Sequence, residues 1–145
     1  MKVDKLKIAR QFMEAIPHVR ALGIEVVELA EARAVLALPY DLRFVGDPQT
    51  GVLHGGVVFT LMDSAAGTAV ILHPAGPGGT ATMDLRVDYM RAATPGQRIV
   101  ADAVCYHVTR SVAFIRVTAC DDDTARPVAV ATGAFTVEPG MEGRS

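Results

Sequence analysis

The hydrophobic positions of this chain change period along its length, and each change marks an element boundary. Near the start, Val3, Leu6, Ala9, Phe12 and Ile16 recur at helical spacing with charged residues between them, and Pro17 closes the run. The spacing predicts an amphipathic helix over 3–16, packed on its own domain. Two short strands are expected next, at 23–29 (GIEVVEL) and 33–39 (RAVLALP), joined by a turn at Glu31-Ala32. The polar stretch from Asp41 to Gly51, DLRFVGDPQTG, is too long for a tight turn. Long loops in small domains often hold functional groups.

From His54 to Pro74 the sequence HGGVVFTLMDSAAGTAVILHP keeps its apolar residues to no single stripe. That pattern predicts a helix over 54–73 buried on all sides. Its length approaches the roughly 20 residues of a membrane span. Against a span, Asp63 sits at its centre, where a carboxylate costs about 2.5–3.5 kcal/mol on insertion. Gly67 and the neighbouring Ala and Ser residues favour close packing instead, so a core helix is the reading.

Beyond the GPGG turn at 76–79 the period falls to two, with Met83, Leu85, Val87 and Tyr89 alternating with Asp84, Arg86, Asp88 and Met90. Thr94-Pro95-Gly96 marks a turn, and further strands are expected at 97–107, 111–120 and 127–137. Ala113, Ile115, Val117 and Ala119 share one face of the second of these, and Asp121-Asp122-Asp123 ends it. The tail at 139–145 is expected to fray. Four consecutive strands with short connections are expected to pair antiparallel and to wrap the apolar helix. The fold class is α+β: one domain over 1–145, a central helix on a curved antiparallel sheet.

Composition narrows the function. A length of 145 residues is one domain's worth, and 50% hydrophobic with 21% charged residues supports a packed core rather than disorder. The net charge of −2 argues against a nucleic-acid surface, which needs a basic excess. Cys105 and Cys120 form no C-x-x-C pair, which excludes a disulfide scaffold and a cysteine-zinc site. The charges Lys2, Asp4, Lys5, Lys7, Arg10 and Glu14 leave no apolar stretch for a signal peptide, so a cytoplasmic, membrane-free protein is expected. The four histidines, His18, His54, His73 and His107, show no metal-ligand spacing.

Asp63 is the strongest chemical signal. A carboxylate in an apolar helix is costly unless paired, and such a group is either catalytic or a hydrogen-bonded core residue. His54-Gly55-Gly56 opens the same helix, and two glycines leave backbone N–H groups uncovered at its positive end. Those donors suit the oxyanion of an attacked thioester or ester, although a glycine pair also serves a tight turn. Gly56 and Asp63 are seven residues apart, hence about 10 Å apart along one helix. A carbonyl bound at Gly56 cannot also touch Asp63 of the same chain. If both act on one substrate, Asp63 must come from a second copy.

The pattern GxLHGGxxxxLxDxxxG, here Gly51, Leu53 to Gly56, Leu61, Asp63 and Gly67, resembles the hotdog-fold thioesterases of the phenylacetate-pathway (PaaI-like) type. The resemblance extends through MDLRVDYMRAATPGQ at 83–97 and RSVAFIRV at 110–117. It implies a hotdog fold, a homodimer or homotetramer with its active site at the dimer interface, and hydrolysis of acyl-CoA thioesters without metal or organic cofactor. Carried over by position, Asp63 matches the general base or nucleophile, the Gly56 N–H the oxyanion donor, and His54 the supporting histidine. Thr82 matches a hydroxyl that orients the attacking water. Gly55, Arg91 and Arg110 are the expected contacts for substrate and CoA phosphates.

The chain departs from that family at Pro48, where many relatives have an Asn six residues before the motif histidine. The Gln49 amide is expected to take its place, with Asp47 as the alternative, because an amide donates and an ionised Asp does not. Two other functions stay open. A hotdog hydratase or dehydratase would use Asp102 and His107, which an odd separation along a strand puts on opposite faces. A non-catalytic acyl-CoA sensing module would bind without turnover.

Overall fold

The computed structural model describes residues 3–75 and 77–139. The tail expected to fray at 139–145 therefore lies, but for Pro139, outside the described residues. The N-terminal segment is two helices: α1 (Val3–Ala15) and a short α2 (Pro17–Leu22). Pro17 does not merely end the first run. It opens the second helix at a position where its missing N–H costs nothing, and Gly23 in the left-handed region (φ 68°) closes it.

Strands β1 (Glu25–Ala30) and β2 (Arg33–Leu38) form a hairpin, as expected. The long loop is not structureless: a 3-10 turn at Leu42–Phe44 leads into a small hairpin of β3 (Val45–Asp47) and β4 (Val52–Leu53). The central helix α3 runs Gly55–Ile71, with His54 as its N-cap. Strands β5 (Thr82–Tyr89), β6 (Ile99–Val108), β7 (Val112–Cys120) and β8 (Ala129–Thr136) complete the chain.

The six-stranded antiparallel sheet has the order β1-β2-β6-β7-β8-β5. The expectation that all four last strands pair in sequence needs one correction, because β5 pairs with β8 and leaves β6 to β2. The chain must therefore cross the ends of β8 and β7 between Met90 and Arg98. That crossing is pinned: Arg91 makes an ion pair with Asp121, the Thr94 N–H donates to Asp121, and the Asp122 N–H donates to the Gln97 side chain.

The buried face of α3, including Val58, Leu61, Met62, Ala65 and Ala69, lies on the concave side of the sheet. There the strands present Ala101, Ala103, Ala113, Ala119, Ala129 and Ala131, all at most 4% exposed. Small side chains let the helix seat deeply between flanking Leu36, Leu38, Ile99 and Ile115. Burial on all sides is not what the structure gives. Phe59, Thr60, Asp63, Ser64 and Gly67 form a partly open stripe on the other side of α3. Among the described residues, no helix is long and apolar enough to cross a membrane.

Candidate active site

The start of α3 is held from three directions. His54 keeps an extended backbone (ψ 135°), its N–H donates to the Phe44 carbonyl at 2.8 Å, and its Nδ1 accepts the Gly56 N–H at 2.8 Å. The imidazole thus performs the capping role usually taken by Ser or Asp. Tyr89 closes the third side, its hydroxyl donating to the Gly55 carbonyl at 2.7 Å from the end of β5. Burial pushes the Tyr89 phenol above its ordinary value, which keeps it a donor.

This arrangement changes the expected oxyanion donor. The Gly56 N–H, assigned to a substrate oxygen by sequence, is engaged by His54. A Cβ at Gly56 would stand 2.9 Å from that Nδ1, so this glycine is required by the cap itself. Among the described residues no acceptor meets the Gly55 N–H, the other orphan donor at the positive end of α3.

Asp63 sits two turns further along, half-buried on the open stripe. The Thr82 hydroxyl donates to its Oδ1 at 2.6 Å, a short bond of the charge-assisted kind. The two residues line a cavity of about 780 Å3 bounded by α3, α1, α2 and the 78–82 segment. Phe59 lines this cavity, whereas its helix neighbour Met62 is fully buried in the core. His18 borders the same cavity, 3.4 Å from the Thr60 hydroxyl. In the sequence His18 is a lone histidine after a proline, with no spacing that marks it for a site.

Four other expected site residues, Arg91, Asp47, Gln49 and Arg110, lie outside that cavity. Arg91, expected to meet a CoA phosphate, has its guanidinium fully committed: Asp121 takes two bonds at 2.6 and 2.8 Å, and the Arg126 and Ala92 carbonyls take the rest. Asp121 has no exposed side-chain surface, and the neighbouring guanidinium holds its carboxyl far below the usual range. Arg91 is therefore a structural pin and not a phosphate ligand. Asp47 accepts the Gln49 N–H in the β3–β4 turn, which occupies the carboxylate considered as an alternative to Gln49. The Gln49 side chain is exposed at that hairpin tip and does not border the Asp63 cavity. Arg110 is exposed in the β6–β7 turn.

Asp102 and His107 share the outer face of the sheet after all, because a bulge between Cys105 and His107 shifts the alternation. They nonetheless form no acid–base pair. Asp102 is bidentate to Arg33 at 2.9 and 3.0 Å, and His107 stacks on Phe114 with ring centres 6.0 Å apart. The hydratase arrangement is thereby set aside. Both cysteines are free thiols, on β6 and β7.

The sequence pattern of the thioesterase superfamily matches residues 50–128, the span from the β3–β4 turn through α3 to the start of β8. A medium/long-chain acyl-CoA thioesterase of Salmonella typhimurium, YigI, is 30% identical over 143 residues, covering 90% of this chain and 91% of its own. The crystal structure of a Pseudomonas aeruginosa protein is 39% identical and superposes with a TM-score of 0.80 over 91% of this chain and 98% of that one. A mutant of the phenylacetic acid degradation protein PaaI from Thermus thermophilus is 32% identical, with a TM-score of 0.73 over 83% and 98% of the two chains. With its central helix wrapped by an antiparallel sheet and this match across its core, the chain belongs to the thioesterase superfamily, with the hotdog fold and the thioester-hydrolase class that membership carries.

Proposed function

We propose that this protein is an acyl-CoA thioesterase in which Asp63 is the catalytic carboxylate. The observation that carries this reading is the Thr82–Asp63 hydrogen bond of 2.6 Å in the wall of a largely apolar cavity. Thr82 holds one carboxylate oxygen, and the other faces the reaction. As general base, Asp63 takes a proton from water as the water oxygen adds to the thioester carbonyl; the tetrahedral oxyanion then collapses, and the CoA thiolate leaves with a proton. As nucleophile, Asp63 would add to the carbonyl and expel the CoA thiolate to form a mixed anhydride, which water then cleaves to the acid and the regenerated carboxylate. The acyl-CoA class is supported by the name of the Salmonella relative.

The oxyanion donor in this reading is the Gly55 N–H, backed by the α3 dipole and fixed by His54 and Tyr89. Gly55 and Asp63 are eight residues apart on α3, about 12 Å along its axis, so the two groups that meet one substrate belong to different protomers. A homodimer joined along β5 supplies them. That strand is one of the two edges of the sheet, β1 being the other, with Met83 58% and Tyr89 50% exposed. Two dimers pairing again would give the tetramer. Gln49 of the β3–β4 turn serves as a second donor to the carbonyl, and Arg110 pairs with CoA phosphate. Cytoplasmic placement follows from the substrate.

The cross-protomer site is tested by coexpressing two defective chains, Asp63→Asn and Gly55→Pro, and isolating the mixed dimer. One of its two composite sites is then intact, so about half the wild-type thiol release is expected, while each homodimer is inactive. Mixed dimers as inactive as their parents contradict the shared site.

A further inference from the structure

The cavity at Asp63 continues well past the carboxylate, and its shape bears on the acyl group. Helix α1 runs antiparallel to α3 and is fastened at both ends of the groove. Lys5 Nζ donates to the His73 carbonyl at 2.8 Å beyond the C-terminus of α3, and His18, just after α1, meets Thr60 near the other end. Between those clamps α1 roofs the open stripe of α3, with Ala9 and Met13 packed inward. Ile8, Phe12 and Phe59 border the same cavity yet are 62%, 60% and 38% exposed. Large apolar side chains left uncovered around one cavity mark a site that an apolar ligand completes.

The groove has a defined length. Asp63 to Ile71 spans eight residues, about 12 Å along α3. Gly67 lies midway, and its missing side chain leaves the groove open. A Cβ there would stand 3.5 Å from Phe135 Cε2 and 4.0 Å from Thr80 Cγ2, ordinary contact distances, so the position tolerates a methyl group without strain. With carbon–carbon bonds of about 1.5 Å, a groove of that length takes a straight chain of roughly eight to ten carbons.

On the reading that Asp63 attacks an acyl-CoA, we infer that the fatty acyl tail lies beneath α1 of the protomer that supplies Asp63, in the groove from Asp63 past Gly67 to Ile71, and that Gly67 sets how long a tail is accepted. The tail covers Ile8, Phe12 and Phe59 on binding. Short acyl groups leave the groove unfilled, and chains well beyond ten carbons overrun it.

The test compares wild type with Gly67→Ala and Gly67→Val in two assays: thiol release from butyryl-CoA and decanoyl-CoA, and calorimetric binding of the uncleavable decyl-CoA thioether. In wild type, kcat/KM favours decanoyl over butyryl. The decanoyl-to-butyryl ratio falls by about tenfold or more in Gly67→Val and by less in Gly67→Ala, with weaker thioether binding in the same order. Should the valine variant fail to fold, the alanine variant still reads the trend. An unchanged ratio with normal thiol release overturns the groove and leaves the hydrolase standing. Thioether binding that depends on Gly67 without any thiol release upholds the groove and overturns the hydrolase. Thioether binding equal in all three proteins, or absent from all three, overturns the groove.

Discussion

The Thr82 hydroxyl reaches Asp63 Oδ1 at 2.6 Å, joining the first residue of the edge strand β5 to the middle of α3. The bond holds the carboxylate in one rotamer on the open stripe of the helix. Hydrogen bonds to charged groups contribute about 1.5–3 kcal/mol. Thr82→Val is therefore expected to lower kcat by about 10- to 100-fold, and Thr82→Ser, which keeps the hydroxyl, to restore most of it. Steady-state thiol release on the three proteins decides this; equal loss in Val and Ser variants assigns Thr82 to packing alone.

The Gly55 N–H lends itself to a clean deletion. Residue 55 is the first of α3, where proline is well tolerated, and His54 already has the extended backbone that a following proline requires. Gly55→Pro removes the N–H while leaving the cap from Gly56 to His54 in place. Loss of one oxyanion donor is expected to cost about 10²–10³ in kcat. Gly55→Ala is the steric control, since its Cβ would press on the Tyr89 ring at 3.3 Å and yet keep the N–H. Comparable loss in both variants makes crowding at Tyr89, not the donor, the cause.

The Arg91–Asp121 pair is largely buried and fully hydrogen-bonded, so its loss is expected to lower stability. Asp121 has its carboxyl depressed by the Arg91 guanidinium, so its stabilisation is complete above the ordinary aspartate value near pH 4. As pH falls below that value, the unfolded chain takes up a proton that the folded chain resists, and the contribution fades. Asp121→Asn is expected to lose about 3 kcal/mol at pH 7, the usual cost of breaking a buried pair, and to show a shallower decline between pH 4 and pH 2. Urea titrations of both proteins across that range measure it. Parallel decline in the two proteins contradicts the assignment.

Hydrophobic patterning located both hairpin strands and the last four strands within a few residues of their observed bounds, and a long apolar run without a stripe located α3. It did not reveal that β5 leaves the meander, because pairing order is set by the crossing at 90–98 and its anchor on Asp121, not by hydrophobic spacing. The same limit explains Arg91: its number of partners depends on residues 30 and 35 positions away. Asp63 and Thr82 were both legible from their positions in a motif, and their contact awaited the fold. The proposed oxyanion donor lies one residue before the expected one, since a His–Gly–Gly sequence does not say which N–H the imidazole will cap. His18 left no local signal, and the amphipathic spacing of α1 does not say that it packs over the Asp63 stripe.

The central claim, that the Asp63 carboxylate performs the chemistry, is tested most directly by free-thiol release from a panel of aryl- and alkyl-CoA thioesters on wild type and Asp63→Asn. Thermal melts of both proteins establish that the variant is folded. A catalytic carboxylate predicts turnover in wild type and a fall of about 10²-fold or more in the asparagine variant, the usual size of a general base's contribution. Equal rates in the two folded proteins would contradict it and leave Asp63 as a structural partner for Thr82.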